Sequence, residues 1–399
     1  MTVEEIKKLD QTFYMNTFGE RIPVSFVRGE GILLYAEDGT VYKDFLAGIA
    51  VSAVGHNHPI LTDAICNQAK SVLHVSNYYY IEQQARLAEK IANNSCADKV
   101  FFANSGAEAN EGALKLAKIY QYKKGHPEKY EVVTLKNSFH GRTLATVAAT
   151  GQEKFSSAYH PLTPGFSYVE INDFEALKNA VTDKTCAVMM EMIQGESGVH
   201  PVDKAYIKKV YDLCKEKDIL FICDEVQTGM GRTGTLFSYE QFGIEPDIFT
   251  LAKALGGGVP IGAVCAKQFA ADAFGPSDHG STFGGNPLAS AAGLAVFEIF
   301  EKENLVENSK TVGAYFKEKL LVLAEKYDII KEVRGAGLML GVEFQEAIAG
   351  DVKHDLFDKN YLTGATQTTL RILPPLMITK KDADEFITAL EEILKTKEA

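Results

Sequence analysis

The chain reads as an α/β protein: a mainly parallel sheet covered by helices on both faces, with a smaller α+β part at its ends. Three observations predict this. From about residue 60 to 300, short β-rich runs alternate with helical stretches, the rhythm of parallel strands joined by crossover helices. Residues 20–46 instead alternate as paired strands about Asp38-Gly39, a strong short-range hairpin signal. After residue 300 the pattern changes to long charged helices flanking isolated apolar runs.

Taken in order, a first strand is expected over 100–103, leading into a helix over 106–122. Further strands are expected over 131–135, 187–190, 219–223, 247–251 and 263–266. The segment 203–217 carries apolar residues at helical spacing, and a helix is expected over 288–302. Beyond these come helices near 306–326 and 380–397, with strands near 337–344 and 369–373. No repeat and no Pro-rich or Gly/Ser-rich linker interrupts the chain. The boundaries therefore follow the changes of rhythm: 1–55 and 304–399 as the two parts of a small domain, 56–303 as the large one.

The length of 399 residues is ample for such a core, and 46% hydrophobic with 24% charged residues is an ordinary globular balance. The net charge of −12 disfavours a nucleic-acid partner. Cys66, Cys96, Cys186, Cys214, Cys223 and Cys265 are scattered without a CxxC pair, which points to a reducing compartment and away from disulfides or structural zinc. The start, MTVEEIKKLD, has no apolar core of a signal peptide, and the longest charge-free stretches contain Gly, Ser, Asn and Pro. A cytoplasmic protein without membrane spans or bound metal is expected.

In an open parallel sheet, ligands bind beyond the carboxyl ends of the strands, so each exit is a candidate site. At 101–110, FFANSGAEAN ends a strand and opens a helix. Its helix start at Asn104, Ser105 and Gly106 suits a phosphate, although Ser105 and Glu108 also make an ordinary capping box. At 220–234, LFICDEVQTGMGRTG delivers Asp224 and Glu225 at the end of a buried strand, pointing to opposite faces. The glycines 229, 231 and 234 match a dinucleotide fingerprint in letters only. They lie past the strand and precede no clear helix. At 247–264 an apolar strand brings Lys253 into a glycine-rich bend. Burial there would lower its pKa and make it an amine nucleophile and base; a solvated loop lysine is the plainer alternative.

Phe139-His140-Gly141-Arg142 offers a flat ring for stacking and a guanidinium for a carboxylate, while His140 more often satisfies a core hydrogen bond. The loop from His279 to Pro287 presents Ser281 and Thr282 hydroxyls for an oxyanion, and turn chemistry explains its glycines equally well. A phosphate seat, a strand-end carboxylate, a buried lysine, an aromatic plate and arginines are together the parts that pyridoxal phosphate requires.

These motifs identify the chain as similar to the class III (subgroup II) pyridoxal-phosphate aminotransferases, and most similar to those acting on acetylornithine. The resemblance runs from GEGILLYAEDG and DFLAGIAVSAVGHNHP through SGAEANEGALKLA, FHGRTLAT, GESGV, DEVQTGMGRTG, TLAKALGGGVPIGA and GSTFGGNPLA to LRILPPLMIT. It implies fold type I with a mainly parallel seven-stranded sheet, and a homodimer with shared active sites. It also implies that Lys253 links covalently to the cofactor, and that Asp224 pairs with the ring nitrogen. Phe139 and Val226 would cover the two ring faces, and Gln227 would contact the phenolic oxygen.

Gly106 and Ala107 would bind phosphate, with Thr282 reaching in from the second subunit and Ser281 near the substrate. Arg142 would take the acetylornithine carboxylate and then the side-chain carboxylate of 2-oxoglutarate. Arg371 would take the α-carboxylate of glutamate, and Glu196 would neutralise Arg371 when acetylornithine is bound.

Two positions depart from the family. Met192 stands where a proline is common after Glu191. Leu33 stands where ornithine aminotransferases carry a tyrosine, which leans the expectation towards an N-acylated ornithine. Ornithine, succinylornithine, succinyl-diaminopimelate and 4-aminobutyrate are the alternative amino donors. An NAD-dependent oxidoreductase and a non-enzymatic binding protein are the alternatives from other classes.

Overall fold

A computed structural model describes residues 1–398. Strands β1 (Phe26–Glu30), β2 (Leu33–Ala36) and β3 (Val41–Asp44) form an antiparallel meander. The β2–β3 turn is the expected one: Gly39 has φ 88°, and the Thr40 N–H donates to Asp38 Oδ1 at 2.9 Å.

The large sheet contains β4 (Lys99–Ala103), β5 (Glu131–Leu135), β6 (Phe166–Val169) and β7 (Thr185–Met190). A short ribbon of β8 (Ile193–Gln194) and β9 (His200–Pro201) leaves its end. The sheet continues with β10 (Leu220–Asp224), β11 (Ile248–Leu251) and β12 (Gly262–Ala266). Its order is β4-β12-β11-β10-β7-β5-β6. Only β12 is antiparallel to its neighbours, so the other six strands share one direction. Their near-continuous apolar runs are what burial on both faces demands. Thr185–Met190 and Leu220–Asp224 are buried at every position. β6 is one strand the sequence pattern did not reveal.

The remaining strands are β13 (Ile330–Ala336), β14 (Met339–Phe344), β15 (Tyr361–Leu362), β16 (Gly364–Ala365) and β17 (Thr369–Ile372). β13, β14, β17 and β16 make an antiparallel sheet, whereas β15 crosses over to pair in parallel with β3. The expected strand near 337–344 is thus the second arm of a hairpin. Its first arm, IKEVRGA, is hidden in the sequence because the adjacent exposed Lys331 and Glu332 and the buried Arg334 interrupt the apolar run. The long helix Leu305–Lys326 packs on this sheet, and the helix Lys380–Lys397 packs against that helix. Phe45 from the N-terminal segment lies among Phe316, Tyr361 and Phe386. One continuous core runs through both parts of the chain. Among the described residues, no helix is long and apolar enough to cross a membrane, and no cluster suited to a metal ion occurs.

Candidate active site

Because six strands run the same way, the exits of β4, β5, β7, β10 and β11 open at one edge of the sheet. A cavity of about 410 Å³ lies there. Its wall brings together Lys253, Asp224, Phe139, Arg142 and Glu196. Ser105, Gly106 and Ala107 line it too, as do Val226 and Gln227. Arg371 and the two loop hydroxyls, Ser281 and Thr282, are not part of that wall. Ser281 still reaches it indirectly, since Asn104 Nδ2 donates to Ser281 Oγ at 3.0 Å.

The β4 exit becomes the helix Gly106–Lys123, N-capped by Ser105, whose Oγ accepts from Glu108 N at 3.1 Å. The cap leaves the first-turn N–H groups of Gly106 and Ala107 directed at the cavity, where the helix dipole favours an anion. A Cβ at Gly106 would meet Val226 Cγ1 at 2.7 Å, so backbone alone fits here. Reversed strand β12 starts alongside at Gly262, where a Cβ would strike Ser105 O at 2.2 Å.

At the β10 exit, Asp224 is 2% exposed, and three donors orient its carboxylate while leaving Oδ1 room for one more. Oδ2 accepts from His140 Nδ1 at 2.7 Å and from Asn110 Nδ2 at 2.8 Å; Oδ1 accepts from Val226 N at 3.0 Å. Glu225 points the other way, as the pleat requires. There it accepts from Ser238, Thr228 and the Tyr239 N–H, fixing the turn after β10. Burial raises its pKa, against those donors.

Thr250 pairs with Asp224 across the β10–β11 ladder, and Lys253 follows three residues later. Lys253 has φ 45°, a conformation uncommon outside glycine and typical of functional positions. Burial brings its amine down to about 8, against the opposing charges of Asp224 and Glu191. Phe139 packs edge-on against Phe155, and the Arg142 guanidinium lies over Phe155 at 3.9 Å. Arg142 thereby stands at the cavity mouth rather than in its floor.

Arg371, on β17, is 8% exposed, and its Nε and Nη2 have no hydrogen-bond partner; Glu196 Oε2 is also buried and unpartnered. Burial lowers the Arg371 pKa, while Glu196 and Glu191 oppose that. Two groups were missed at the sequence level. Asn110 bridges Asp224, the His140 carbonyl and Thr250. An amide on the Ala-rich buried face of its helix was the available signal. Glu191 accepts from Phe139 N at 3.0 Å, and burial pushes it up to about 7. Leu33 lies on β2 and does not line the cavity, so the expectation drawn from it gains no contact here. The glycines 229–234 do not present a ligand loop. Gly231 and Gly234 pack against Phe300 and Lys310.

The model of the family described as "Aminotransferase class-III" matches residues 14–394. This chain belongs to the class-III aminotransferases. An acetylornithine aminotransferase from Methanocaldococcus jannaschii is 50% identical over 98% of both chains. One from Aquifex aeolicus is 46% identical over 96% of this chain and all of its own. Among solved structures, the ornithine aminotransferase of Toxoplasma gondii is similar with TM-score 0.94 and 32% identity, over 100% of this chain and 96% of its own. The acetylornithine aminotransferase of Elizabethkingia anophelis follows with TM-score 0.89 and 31% identity, over 99% and 100%. This class-III aminotransferase has the fold type I architecture of its relatives. Pyridoxal phosphate is its cofactor, and the cavity suits it. There is a backbone cradle at Gly106, an oriented carboxylate at Asp224, and an amine that burial brings down to about 8 at Lys253.

Proposed function

We propose that this aminotransferase moves the δ-amino group of N-acetylornithine to 2-oxoglutarate, giving N-acetylglutamate 5-semialdehyde and glutamate, a step of arginine biosynthesis. The observation that carries the reading is the pairing of an aminotransferase cavity with two separated guanidiniums, Arg142 and Arg371, and a carboxylate, Glu196, near the second. Relatives 44–50% identical over nearly the whole chain bear the acetylornithine name, which favours that donor over free ornithine.

Lys253 would hold the cofactor, Asp224 its ring nitrogen, and the N–H groups of Ser105, Gly106 and Ala107 its phosphate. Phe139 and Val226 would sandwich the ring, with Gln227 on its phenolic oxygen. When bound, the cofactor supplies a protonated ring that withdraws electrons from the carbon bearing the amino group. The Lys253 amine, freed by substrate, takes the proton from that carbon and returns it during transfer, a task suited to a pKa near the working pH. Arg142 orients the acetylornithine carboxylate. Arg371 receives the α-carboxylate of glutamate, and Glu196 covers Arg371 while the donor is bound.

Residues 56–303 form the cofactor-bearing domain in this reading, framed by 1–55 and 304–399. A homodimer completes the site. Tyr78, Tyr80 and Phe283 are all exposed. The two segments that carry them are joined where Asn77 Nδ2 donates to Ser281 O and Gly284 O and where His74 lies against Phe283, next to Thr282. Thr282 of a second copy would add a phosphate donor, with Ser281 near the substrate.

The purified protein should carry visible cofactor absorbance that borohydride traps on Lys253. Amino donors ranked by kcat/KM with 2-oxoglutarate should place N-acetylornithine first. Higher values for ornithine, succinylornithine, succinyl-diaminopimelate or 4-aminobutyrate would reassign the donor.

A further inference from the structure

We infer that Arg334 is a positioning residue that sets how the site discriminates its two substrates, by locking the loop carrying Glu196 to the strand carrying Arg371. The inference rests on the roles of Glu196 and Arg371 proposed above.

Arg334 lies on β13, is 5% exposed and does not line the cavity. Its guanidinium spans three separate pieces of chain. Nε donates to Gly198 O at 3.1 Å and Val199 O at 2.9 Å, and Nη2 donates to Gly198 O at 2.7 Å and Thr369 Oγ1 at 3.0 Å. Nη1 donates to Glu332 Oε2 at 2.9 Å and to the Glu343 carboxylate. Each nitrogen is satisfied, unlike those of Arg371.

The anchored groups are those that place the proposed switch. Gly198 and Val199 follow Glu196 by two and three residues. Thr369 precedes Arg371 by two, so the pleat puts both on the same side of β17. The loop also holds a shape it would not keep alone: Gly198 has φ 136° and Val199 has φ 59°, an outlier for a β-branched residue. A planar fork with five donors can hold these acceptors together; a lysine ammonium cannot.

Held this way, Glu196 and Arg371 influence each other electrostatically without an ion pair. Glu196 is half-buried, with Oε1 accepting from Lys154 Nζ at 3.4 Å and Oε2 unpartnered. Loosening the loop would let that free oxygen close onto the Arg371 guanidinium, whose Nε and Nη2 lack partners. A closed pair excludes the α-carboxylate of glutamate and of 2-oxoglutarate. N-acetylornithine, which needs that pair, would bind as before. Arg334 thus governs one half-reaction and spares the other.

The test compares the holoenzymes of wild type, Arg334→Lys and Thr369→Val in the separate half-reactions. Arg334→Lys should raise KM for glutamate and 2-oxoglutarate about tenfold, with kcat and the acetylornithine KM changed less than about threefold. Thr369→Val, which removes one anchor, should shift the same two KM values in the same direction by less. The inference is overturned if KM rises equally for both substrates, if only kcat falls, or if Thr369→Val leaves both KM values unmoved. Should Arg334→Lys fail to fold, Thr369→Val decides alone. A wild type that uses a different amino donor overturns the substrate reading only. The comparison is then made between glutamate and that donor, with the same outcomes deciding.

Discussion

His140 Nδ1 lies 2.7 Å from Asp224 Oδ2, with both residues buried, and Asn110 shares the same oxygen. With the Val226 N–H on Oδ1, three donors hold this carboxylate in a single orientation in the cavity wall. Asp224→Asn keeps the shape but removes the charge that would sustain a protonated ring nitrogen. A fall in kcat of about 10²–10³-fold is expected, with cofactor still visible by absorbance. Undiminished turnover would remove Asp224 from the chemistry.

The same contact makes a pH prediction. Burial alone would lower the His140 pKa, but the hydrogen bond and charge of Asp224, helped by Glu191, raise it above the ordinary imidazole value. A raised folded-state pKa gives stability that is full below the unfolded value, about 6.5, and is lost as pH rises through the folded value. In apoprotein melts, wild type should lose Tm relative to His140→Gln as pH increases above about 6.5. A constant Tm difference across that range would contradict the assignment.

Lys253 titrates at about 8 because burial opposes its charge. Amine-directed acylation of the apoprotein should label Lys253 through a midpoint near that value, whereas surface lysines follow about 10.4. Mass spectrometry of the labelled peptide reads the midpoint. Lys253→Ala should abolish turnover, by at least about 10³-fold.

Gly106 has no room for a side chain, since a Cβ would sit 2.7 Å from Val226 Cγ1. Gly106→Val should weaken cofactor binding by at least about tenfold, through displaced N–H donors. Equilibrium dialysis of the holoprotein measures this, and unchanged retention would place the phosphate elsewhere.

The exposed aromatic face tests assembly. Tyr80→Glu combined with Phe283→Glu should halve the mass seen by light scattering and reduce cofactor retention. A wild-type monomer would rule out the shared site.

The strand exits were legible because chemistry-bearing residues stood next to long apolar runs. Asp224 follows LFIC, and Lys253 follows the strand over 248–251. Cavity placement of Phe139, Val226, Gln227 and Glu196 followed from the family motifs, not from periodicity. Asn110 and Arg334 were not legible. Each acts through partners distant in sequence, the β10 carboxylate for one and the loop after β8 for the other. Strand β13 was masked by charges that face solvent, and the joint-filling role of Gly231 and Gly234 looked like a nucleotide motif in letters alone.

The parallel pairing of β3 with β15 has a consequence for biosynthesis. Tyr361 and Leu362 are the partners of Lys43 and Asp44, more than three hundred residues earlier. During translation the meander leaves the ribosome with that edge bare, and Phe45 without Phe316, Tyr361 and Phe386. The first hairpin made is thus among the last to be finished. Until then it offers an open edge and an uncovered aromatic to any chaperone or neighbouring nascent chain.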